Sequence, residues 1–316
     1  MTLNQLRTFL AVADQGSVRA AADDLVVTQA AVSASLAALQ RSLGVALLAP
    51  DGRGLRLTSA GEVYAGYLRR VLGQLEEAGL AAAAAADPER SELRIAAVTT
   101  GAEQLVPGLL GEFLRVHPQM GLRLEAGNRE RVRALLDRHQ VDLVLTGRPE
   151  PGWDVTVRAV RPHALVVVAA PELAAHAAGG DLLAWLGRQT WLLREPGSGT
   201  RASTDALLAE LDLAPPTLQV GSNVAIRESA RVGLGVTLVS QDAVAGELAA
   251  GRLATLPVPG TPLHRDWYLL AHPGPLPAPA ELLIGHVVDT GDFSHPPAAR
   301  PAATPAAPAQ QQGDRP

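Results

Sequence analysis

The sequence predicts an α/β protein with a small helical N-terminal module, one long helix and a larger α/β region. Three observations support this fold class: apolar residues repeat with helical spacing up to residue 44, a single apolar stripe follows, and short apolar strands alternate with helices from residue 91. A chain of 316 residues is long enough for two to three domains. The expected units are 1–58, 59–88 and 91–292, followed by a disordered Pro/Ala-rich tail, 293–316, that cannot build a core.

Composition limits the classes of function. Hydrophobic residues make up 47% of the chain and charged residues 19%, which is enough apolar material for a globular core. The net charge of −5 argues against a generally basic nucleic-acid coat protein, but a small DNA-reading module needs only a local footprint. The absence of cysteine excludes disulfides, thiolate metal sites and cysteine nucleophiles. Without a signal-like N-terminus or an apolar run of about 18 residues, we expect a cytoplasmic location and no membrane contact.

Residues 17–44 contain two helical patterns joined by a short turn. Ser17 and Thr28 each stand where an N-cap is expected, and Gly44 supplies the C-terminal stop. Helices joined so closely must pack at a steep angle, as in the helix-turn-helix that presents its second helix to the DNA major groove. A plain helical hairpin is the alternative on this stretch alone. The outer face of the second helix favours DNA binding, because residues such as Gln29 and Ser33 are short or uncharged and suit base edges.

The segment after this module predicts a β-hairpin, the wing of a winged helix-turn-helix. Val45–Leu48 and Leu55–Leu57 have strand patterns, and the turn 50–54 between them contains two glycines. Arg53 lies at the tip of the turn, where it can enter a minor groove or contact phosphate. A solvated loop arginine is the alternative.

The long helix is expected to begin at Ser59, which forms a capping-box pattern with Glu62, and to end before Pro88. A heptad-like apolar stripe runs along it through Tyr64, Leu68, Val71, Leu75, Ala78 and Ala82. A long helix with one apolar stripe needs a partner surface. Packing back on its own domain is one way to cover the stripe.

Strands and helices alternate after residue 91, which indicates parallel sheets. The predicted strands are Leu93–Val98, Leu122–Ala126, Val141–Thr146, Ala164–Val168, Thr190–Leu193, Thr217–Val220, Val236–Ser240 and Trp267–Ala271. The predicted helices are Glu103–His117, Arg129–His139, Thr200–Leu211, Val224–Arg231 and one near Ala280–Val288.

Open α/β sheets bind ligands beyond the carboxyl ends of their strands. Three loops at such ends lead into helices, where hydroxyls and free backbone N–H groups suit an anion. Arg201 adds a bidentate partner for carboxylate or phosphate. Ordinary helix capping is the alternative for each loop taken alone. The candidate effector-binding residues are Thr99, Thr100, Gly101, Ser198, Gly199, Thr200, Arg201 and Asn223.

No catalytic site is evident in the sequence. The carboxylates Asp142, Glu195 and Asp205 are scattered, and no serine stands in a G-x-S-x-G elbow. The histidines show no metal-ligand spacing. We therefore expect no catalytic residue, no metal and no cofactor apart from a small-molecule co-inducer.

Specific motifs add a family resemblance. LNQLRTFLAVADQGSVRAAADDLVVTQAAVSASLAALQRSLGVALL and GRGLRLTSAG resemble the winged helix-turn-helix of LysR-type transcriptional regulators. LREPGSGTR, VGSNVAIRESARVGLGVTLVSQDAV and PLHRDWYLL resemble the CbbR/CysL-like branch of that family. The resemblance implies a periplasmic-binding-protein-like effector domain, with lobe I at about 91–161 and 266–292 and lobe II at about 162–265.

The same resemblance implies a sequence-specific transcriptional regulator that binds a small anionic metabolite and alters DNA bending or promoter occupancy. Its implied partners are double-stranded DNA, a second copy through the linker helix, a homotetramer built from such dimers, and RNA polymerase. The DNA-contacting residues are expected to be Ser17, Thr28, Gln29, Ala30, Ser33, Ala34, Ser35 and Arg53. The alternative is a metabolite-binding protein or enzyme whose helical N-terminus only mediates oligomerisation.

The recognition helix departs from the family pattern. Where relatives carry proline and basic or amide residues, this chain has Ala30, Ala34, Ser35 and Ala37. Alanine can contact only a thymine methyl group, so few side chains remain for direct readout. Residues 1–80 contain as many acidic as basic side chains, which predicts a shallow salt dependence of DNA binding.

Overall fold

The computed structural model of the protein describes residues 1–52, 54–177 and 180–296. Its helices are α1 Leu3–Gln15, α2 Val18–Asp24, α3 Gln29–Leu43, α4 Ser59–Ala86, α5 Thr99–Gln104, α6 Val106–Val116, α7 Arg129–Asp137, α8 Pro171–Ala175, α9 Leu182–Leu186, α10 Gly199–Glu210, α11 Asn223–Arg231, α12 Gln241–Ala249 and α13 Ala278–Asp289. Its strands are β1 Leu48–Asp51, β2 Gly54–Leu57, β3 Glu92–Val98, β4 Gly121–Gly127, β5 Leu143–Thr146, β6 Thr156–Arg161, β7 Ala164–Ala169, β8 Trp191–Leu193, β9 Thr217–Gln219, β10 Thr237–Ser240, β11 Ala254–Thr255, β12 Leu263–His264 and β13 Trp267–Ala271.

Helices α1, α2 and α3 form the expected helix-turn-helix. The Ser17 hydroxyl accepts a hydrogen bond from the N–H of Ala20 at 3.3 Å, and the Thr28 hydroxyl accepts one from Ala31 at 3.1 Å. Both residues are therefore the predicted N-caps. The axes of α2 and α3 are bent by 109° at the break between them, within the range of this motif. Phe9 of α1 is fully buried where the three helices meet.

The wing is a two-stranded antiparallel hairpin, β1–β2, but its first strand lies further along the chain than predicted. The expected strand Val45–Leu48 is wrong, because β1 pairs Pro50 with Leu55 and leaves a loop of only two residues. Gly52 in this loop has φ +57°, the left-handed conformation that a tight hairpin loop requires. Arg53 lies outside the described residues, so its contact with DNA stays a prediction.

Helix α4 presents three faces to different surroundings. The helix begins at Ser59 as predicted, but its N-cap is Thr58, whose hydroxyl accepts from Gly61 N–H at 3.0 Å, so the predicted capping box of Ser59 with Glu62 is wrong. Near its beginning, Leu68 packs into the helix-turn-helix core. Further along, α4 contacts the first lobe of the α/β region, and the carboxylate of Glu77 bonds the ring of His139.

The third face of α4 is an exposed apolar stripe formed by Val63, Tyr67, Val71, Leu75, Ala78 and Ala82. The predicted stripe began instead with Tyr64 and Leu68. Those two side chains pack within their own domain. Val71 and Leu75 remain about half exposed, at 53% and 48%. Apolar side chains of this size therefore stay uncovered on one side of the chain.

The first lobe contains a five-stranded sheet in the order β4-β3-β5-β13-β6. Strand β3 runs parallel to β4 and β5, whereas β13 runs antiparallel to both of its neighbours. The sheet is therefore mixed and not purely parallel, because β13 enters it on the return from the second lobe. Strand β6 was not predicted from the sequence. Phe113 and Leu143 are fully buried in the core of this lobe.

The second lobe is organised around β7, which pairs antiparallel with β10, β11 and β12. Strand β8 pairs parallel with β9 and bridges to Val236 next to β10. Trp191 of β8 is fully buried in the core of this lobe. Two crossing segments join the lobes, the first at His163 and the second at Arg265. They are hydrogen-bonded to each other, because the backbone N–H of Arg265 donates to the backbone carbonyl of His163 at 2.7 Å. The architecture is the two-lobed fold that the family resemblance implies.

Two further expectations need correction. The predicted helix Glu103–His117 is split into α5 and α6 at Leu105. Pro107 has no backbone N–H to donate, and its ring clashes with the preceding turn of a continuous helix. The tail was expected from Phe293, but Phe293 is buried in the first-lobe core and Ser294 pairs with Val160. The tail expected after Pro296 lies outside the described residues.

Candidate effector cleft and DNA-binding surface

A cleft of about 630 Å³, which includes the part open to solvent, lies between the two lobes. The first residues of α5, α7 and α10 line it, and helix beginnings carry free backbone N–H groups that suit an anion. Both crossing segments also contribute side chains. Its lining residues are Val98, Thr99, Thr100, Gly127, Asn128, Arg129, Thr146, Gly147, His163, Leu165, Arg194, Glu195, Ser198, Gly199, Thr200, Arg265, Asp266 and Trp267.

The structure places five of the eight predicted effector residues in this cleft: Thr99, Thr100, Ser198, Gly199 and Thr200. The two threonines begin α5, and Ser198 caps α10 by accepting from Arg201 N–H at 3.5 Å. The other three predicted residues, Gly101, Arg201 and Asn223, lie outside the lining. These placements bring most of the predicted loops to one site, as their positions at strand ends require.

The three remaining residues have contacts that account for them structurally. A Cβ atom on Gly101 would lie 2.9 Å from the side chain of Leu145, so this glycine permits close packing. The Arg201 guanidinium pairs with Asp205 at 2.9 Å and faces an adjoining cavity. Asn223 lines a smaller cavity that shares Thr100, Arg194 and Thr200 with the cleft.

Asn223 belongs to a hydrogen-bond network that connects the lobes. Its amide donates to the Thr100 hydroxyl at 3.2 Å and to the Glu103 carboxylate at 2.9 Å, both in the first lobe. Its carbonyl oxygen accepts from the buried guanidinium of Arg194 in the second lobe. Arg194 also bonds Glu195 through two nitrogens, at 2.7 and 2.8 Å. This hydrogen bond is the largest cause of the lowered pKa of Glu195.

Two arginines missed by sequence reasoning converge on the cleft. A Cβ atom on Gly147 would lie 3.2 Å from a terminal nitrogen of Arg129 and 3.5 Å from one of Arg265, so both guanidinium groups meet over this glycine. Arg265 donates to the carbonyl of Gly199 at 3.1 Å and to the hydroxyl of Ser203. Burial first, and then the charge of Arg129, lower the pKa of Arg265.

No carboxylate in the described part of the chain forms an ion pair with Arg265, and Arg129 has only a 3.7 Å contact with Glu150. Arg129 is the first residue of a predicted helix that follows a predicted strand, so its position could have been found from the sequence. Arg265 lies on a crossing segment and carries no local pattern. Only the return of the chain between the lobes places it here.

Two buried polar atoms of cleft-lining residues have no hydrogen-bond partner among the described residues: the Thr146 hydroxyl and Nδ1 of His163. The His163 ring stacks on Trp267, with centroids 4.7 Å apart. Buried polar groups without partners are uncommon in folded proteins. Sequence reasoning did not single out either residue.

On the helix-turn-helix, Gln29, Ala30, Ser33 and Ala34 are exposed along one face of α3, and Ser35 is half-buried. The hydroxyls of Ser17 and Thr28 are engaged as helix caps. The small exposed residues leave the backbone of α3 accessible, as a helix in a major groove requires.

Within the described ranges, no group of three potential metal-ligating residues is close enough to hold an ion. No single described helix is long and apolar enough to cross a membrane.

A winged helix-turn-helix joined by a long helix to a two-lobed domain with an interlobe cleft defines a ligand-responsive DNA-binding regulator. Residues 3–62 match the bacterial regulatory helix-turn-helix protein of the lysR family, and residues 86–292 match the LysR substrate binding domain. The chain therefore belongs to the LysR family of transcriptional regulators. As such it binds DNA and a small-molecule effector and forms oligomers.

Curated relatives support the same conclusion. The transcriptional regulator CfxR of Cupriavidus necator is 35% identical over 270 residues, which cover 85% of this chain and 85% of that protein. CbbR of Rhodospirillum rubrum is 34% identical over 291 residues, covering 89% and 94%. Both are regulators and not enzymes, so the leading prediction of the sequence, including the CbbR-like branch, is confirmed.

A solved structure resembles the α/β region. The regulatory domain of Synechocystis PCC6803 CcmR in complex with 2-PG matches with a TM-score of 0.55 and 28% identity. The match covers 61% of this chain and 96% of that domain.

Proposed function

We propose that this regulator responds to a small anionic metabolite held in the interlobe cleft by Arg129, Arg265 and the beginnings of α5, α7 and α10. The convergence of the two guanidinium groups over Gly147 carries the proposal. Two like charges brought together in a partly desolvated site repel each other, and an anion between them would remove that repulsion. Arginine also recognises carboxylate or phosphate through two parallel hydrogen bonds.

The ligand of the CcmR domain suggests the first metabolite to test. We infer that 2-PG or a metabolite of similar charge binds this cleft, and binding should raise the melting temperature of the purified protein. Arg265→Met and Arg129→Met should each weaken 2-PG binding roughly tenfold to a hundredfold, because a hydrogen bond to a charged group contributes about 1.5–3 kcal/mol. Isothermal titration calorimetry measures the affinity.

Arg115→Met is the matched control, since this side chain is 74% exposed on α6 and does not line the cleft. The control should bind like the wild type. Unchanged affinity of both cleft variants would contradict the assignment of the anion site. Absence of binding by the wild type to 2-PG and to other phosphorylated or carboxylated metabolites would contradict an anionic effector altogether.

For assembly, we propose that the exposed apolar stripe of α4 pairs with the same stripe of a second copy, and that two such dimers form a tetramer. Uncovered apolar side chains at helical spacing are the usual seam between helices. Val71→Asp with Leu75→Asp should reduce the molar mass measured by light scattering. Val116→Asp, which changes an equally exposed valine on α6, is the control. An unchanged mass of the double variant would place the dimer contact elsewhere.

For DNA binding, we propose that α3 enters the major groove and presents Gln29, Ala30, Ser33, Ala34 and Ser35 to the bases. The N-termini of α2 and α3, capped by Ser17 and Thr28, face phosphates. Arg53 contacts DNA from the wing. Arg53→Ala should lose about 1–3 kcal/mol of affinity for DNA flanking the gene in a gel-shift assay. Equal affinity of this variant would remove Arg53 from the interface. The slope of log K against log salt should be shallower than about −8, and a steeper slope would contradict the small charge footprint.

We also propose a cytoplasmic location and contact of the DNA-bound oligomer with RNA polymerase. Both follow from the role of a transcriptional regulator. Crosslinking of the DNA-bound protein in the presence of RNA polymerase tests the contact, and transcription control that persists without any crosslink would argue against it.

A further inference from the structure

His163 occupies an unusual position in the interlobe cleft. It lies on the first crossing segment, its ring lines the cleft, and only 5% of its side chain is exposed. The ring is held flat against Trp267, and the backbone carbonyl of His163 accepts from Arg265 N–H. The first residue of β13 therefore holds the imidazole, and the second crossing segment holds the backbone of His163, at the point where the lobes meet.

The charges around His163 come from several elements. Asp242, at the start of α12, places a carboxylate oxygen 3.7 Å from Nδ1, which is too far for a hydrogen bond and leaves Nδ1 without one. Arg265 lies on the second crossing segment, and Arg161 is the last residue of β6. The positive charges of both act against protonation of the ring. Arg129, Arg194, Glu195 and Asp266 are the other charged residues of the cleft lining.

Burial is the main cause that lowers the pKa of His163, and Asp242 opposes it while Arg265 and Arg161 add to it. A neutral imidazole is therefore the resting form near neutral pH. An anion in the cleft would reverse this balance, because it adds a negative charge close to the ring and shields it from the two guanidinium groups. Of the cleft-lining residues, histidine alone has an ordinary pKa near neutrality, at about 6.5.

We propose that His163 is a proton-linked ligand of the effector: it binds the anion in its protonated form, so that effector binding takes up a proton. This inference rests on the proposed anionic occupant of the cleft. It makes the regulator sensitive to pH as well as to metabolite concentration, through one side chain in the binding site.

The sign of the effect follows from linkage. The pKa of His163 is higher in the bound state than in the free state, so affinity is greatest at pH values below both. Affinity falls as pH rises between the two values, by at most tenfold per pH unit for one proton. At pH values above both, the ring is neutral in either state and the dependence disappears.

Inorganic sulfate is the probe for the test, because its charge stays constant across the titration of histidine. Calorimetric titration of the full chain in two buffers of different ionisation enthalpy, at several values from about pH 5.5 to 8, measures the protons taken up per sulfate bound. The wild type should take up a fraction of a proton that passes through a maximum in this range. His163→Gln should take up none and bind sulfate with an affinity independent of pH.

Asp242→Asn provides a second variant with a directional readout. Removing this carboxylate should lower the pKa of His163 further, so the range of proton uptake should move to lower pH while uptake itself persists. Circular dichroism establishes that each variant is folded. A merely structural role of His163 would change affinity without changing the number of protons.

The outcomes separate the two levels of the proposal. Sulfate binding without proton uptake by the wild type, or equal uptake by His163→Gln, would overturn the role of His163 and leave the anion site intact. Failure of sulfate to compete with any effector or to bind at all would overturn the anion site, and this inference with it. Loss of uptake in His163→Gln together with the shifted range in Asp242→Asn supports the proposal.

Discussion

The contact between α4 and the first lobe makes a sharp prediction at Gly73. A Cβ atom on this residue would lie 1.8 Å from the carbonyl oxygen of Arg138 and 3.1 Å from the Cβ of His139. Real Cβ contacts are almost never shorter than 3.0 Å, so α4 and the lobe would have to separate by roughly 1 Å. The obstacle is backbone and cannot rotate away.

We expect Gly73→Ala to destabilise the protein. Forced overpacking costs typically about 1–3 kcal/mol. The gain from replacing a helical glycine by alanine, about 0.8–1 kcal/mol, opposes this cost. The net loss should therefore be up to about 2 kcal/mol, seen as an earlier midpoint of urea unfolding monitored by circular dichroism.

The same helix supplies two matched controls. Gly66 and Gly79 also lie inside α4, and a Cβ atom on either would meet no atom within 4 Å. Gly66→Ala and Gly79→Ala should each stabilise the protein by up to about 1 kcal/mol through helix propensity alone. If Gly73→Ala is as stable as these two variants, the close approach of α4 to Arg138 is wrong.

Three further predictions concern single side chains. Val26 has φ +55° in the turn between α2 and α3 and is 90% exposed. Because asparagine tolerates this conformation, Val26→Asn should raise thermal stability by about 1 kcal/mol. A loss of stability would contradict the strained turn. Asp142→Ala removes one member of a buried ion pair with Arg94, at 2.5 Å. It should lower the free energy of unfolding in urea by about 3–5 kcal/mol. A decrease of less than about 1 kcal/mol would show that the pair is solvated. Because the pKa of Glu195 is lowered in the folded protein, its interaction with Arg194 stabilises the fold at pH values above the ordinary glutamate pKa. This stabilisation is lost as pH falls through the pKa of the folded state. Glu195→Gln should flatten that part of the acid denaturation curve, and an unchanged curve would refute the prediction.

Local patterns were sufficient to predict the helix-turn-helix of the N-terminal domain. Ser17 and Thr28 cap their helices because the hydroxyl of an N-cap residue needs only a backbone N–H three residues away. Predictions failed where a tertiary contact set the boundary. Strand β1 begins at Leu48 because pairing with β2 sets its register, and this pairing has no counterpart in the hydrophobic pattern of either strand alone.

The candidate site divides in the same way. Thr99, Thr100 and Ser198 were found because the chain leaves a strand and enters a helix near each of them, and such ends converge at the edge of a sheet. Arg265 and His163 were missed because they lie on crossing segments. What brings them into the cleft is the mixed topology of the first lobe, with β13 inserted between β5 and β6. Single-sequence periodicity contains no information on that insertion.

Helix α7 connects the cleft to the linker helix. Its first residue, Arg129, lines the cleft, while Arg138, directly after its last residue, touches Gly73 of α4. Nine helical residues span only about 13 Å and move as a unit. An anion that draws Arg129 inward by moving α7 must therefore also displace Arg138 from α4 or carry α4 with it. Since α4 begins in the helix-turn-helix core and carries the exposed apolar stripe, Gly73→Ala tests whether this contact couples the effector cleft to the DNA-binding domain. If that contact couples them, the variant should bind the proposed anionic effector and DNA separately but lose the change in DNA affinity expected from that effector in the wild type. An undiminished change would show that the coupling runs elsewhere.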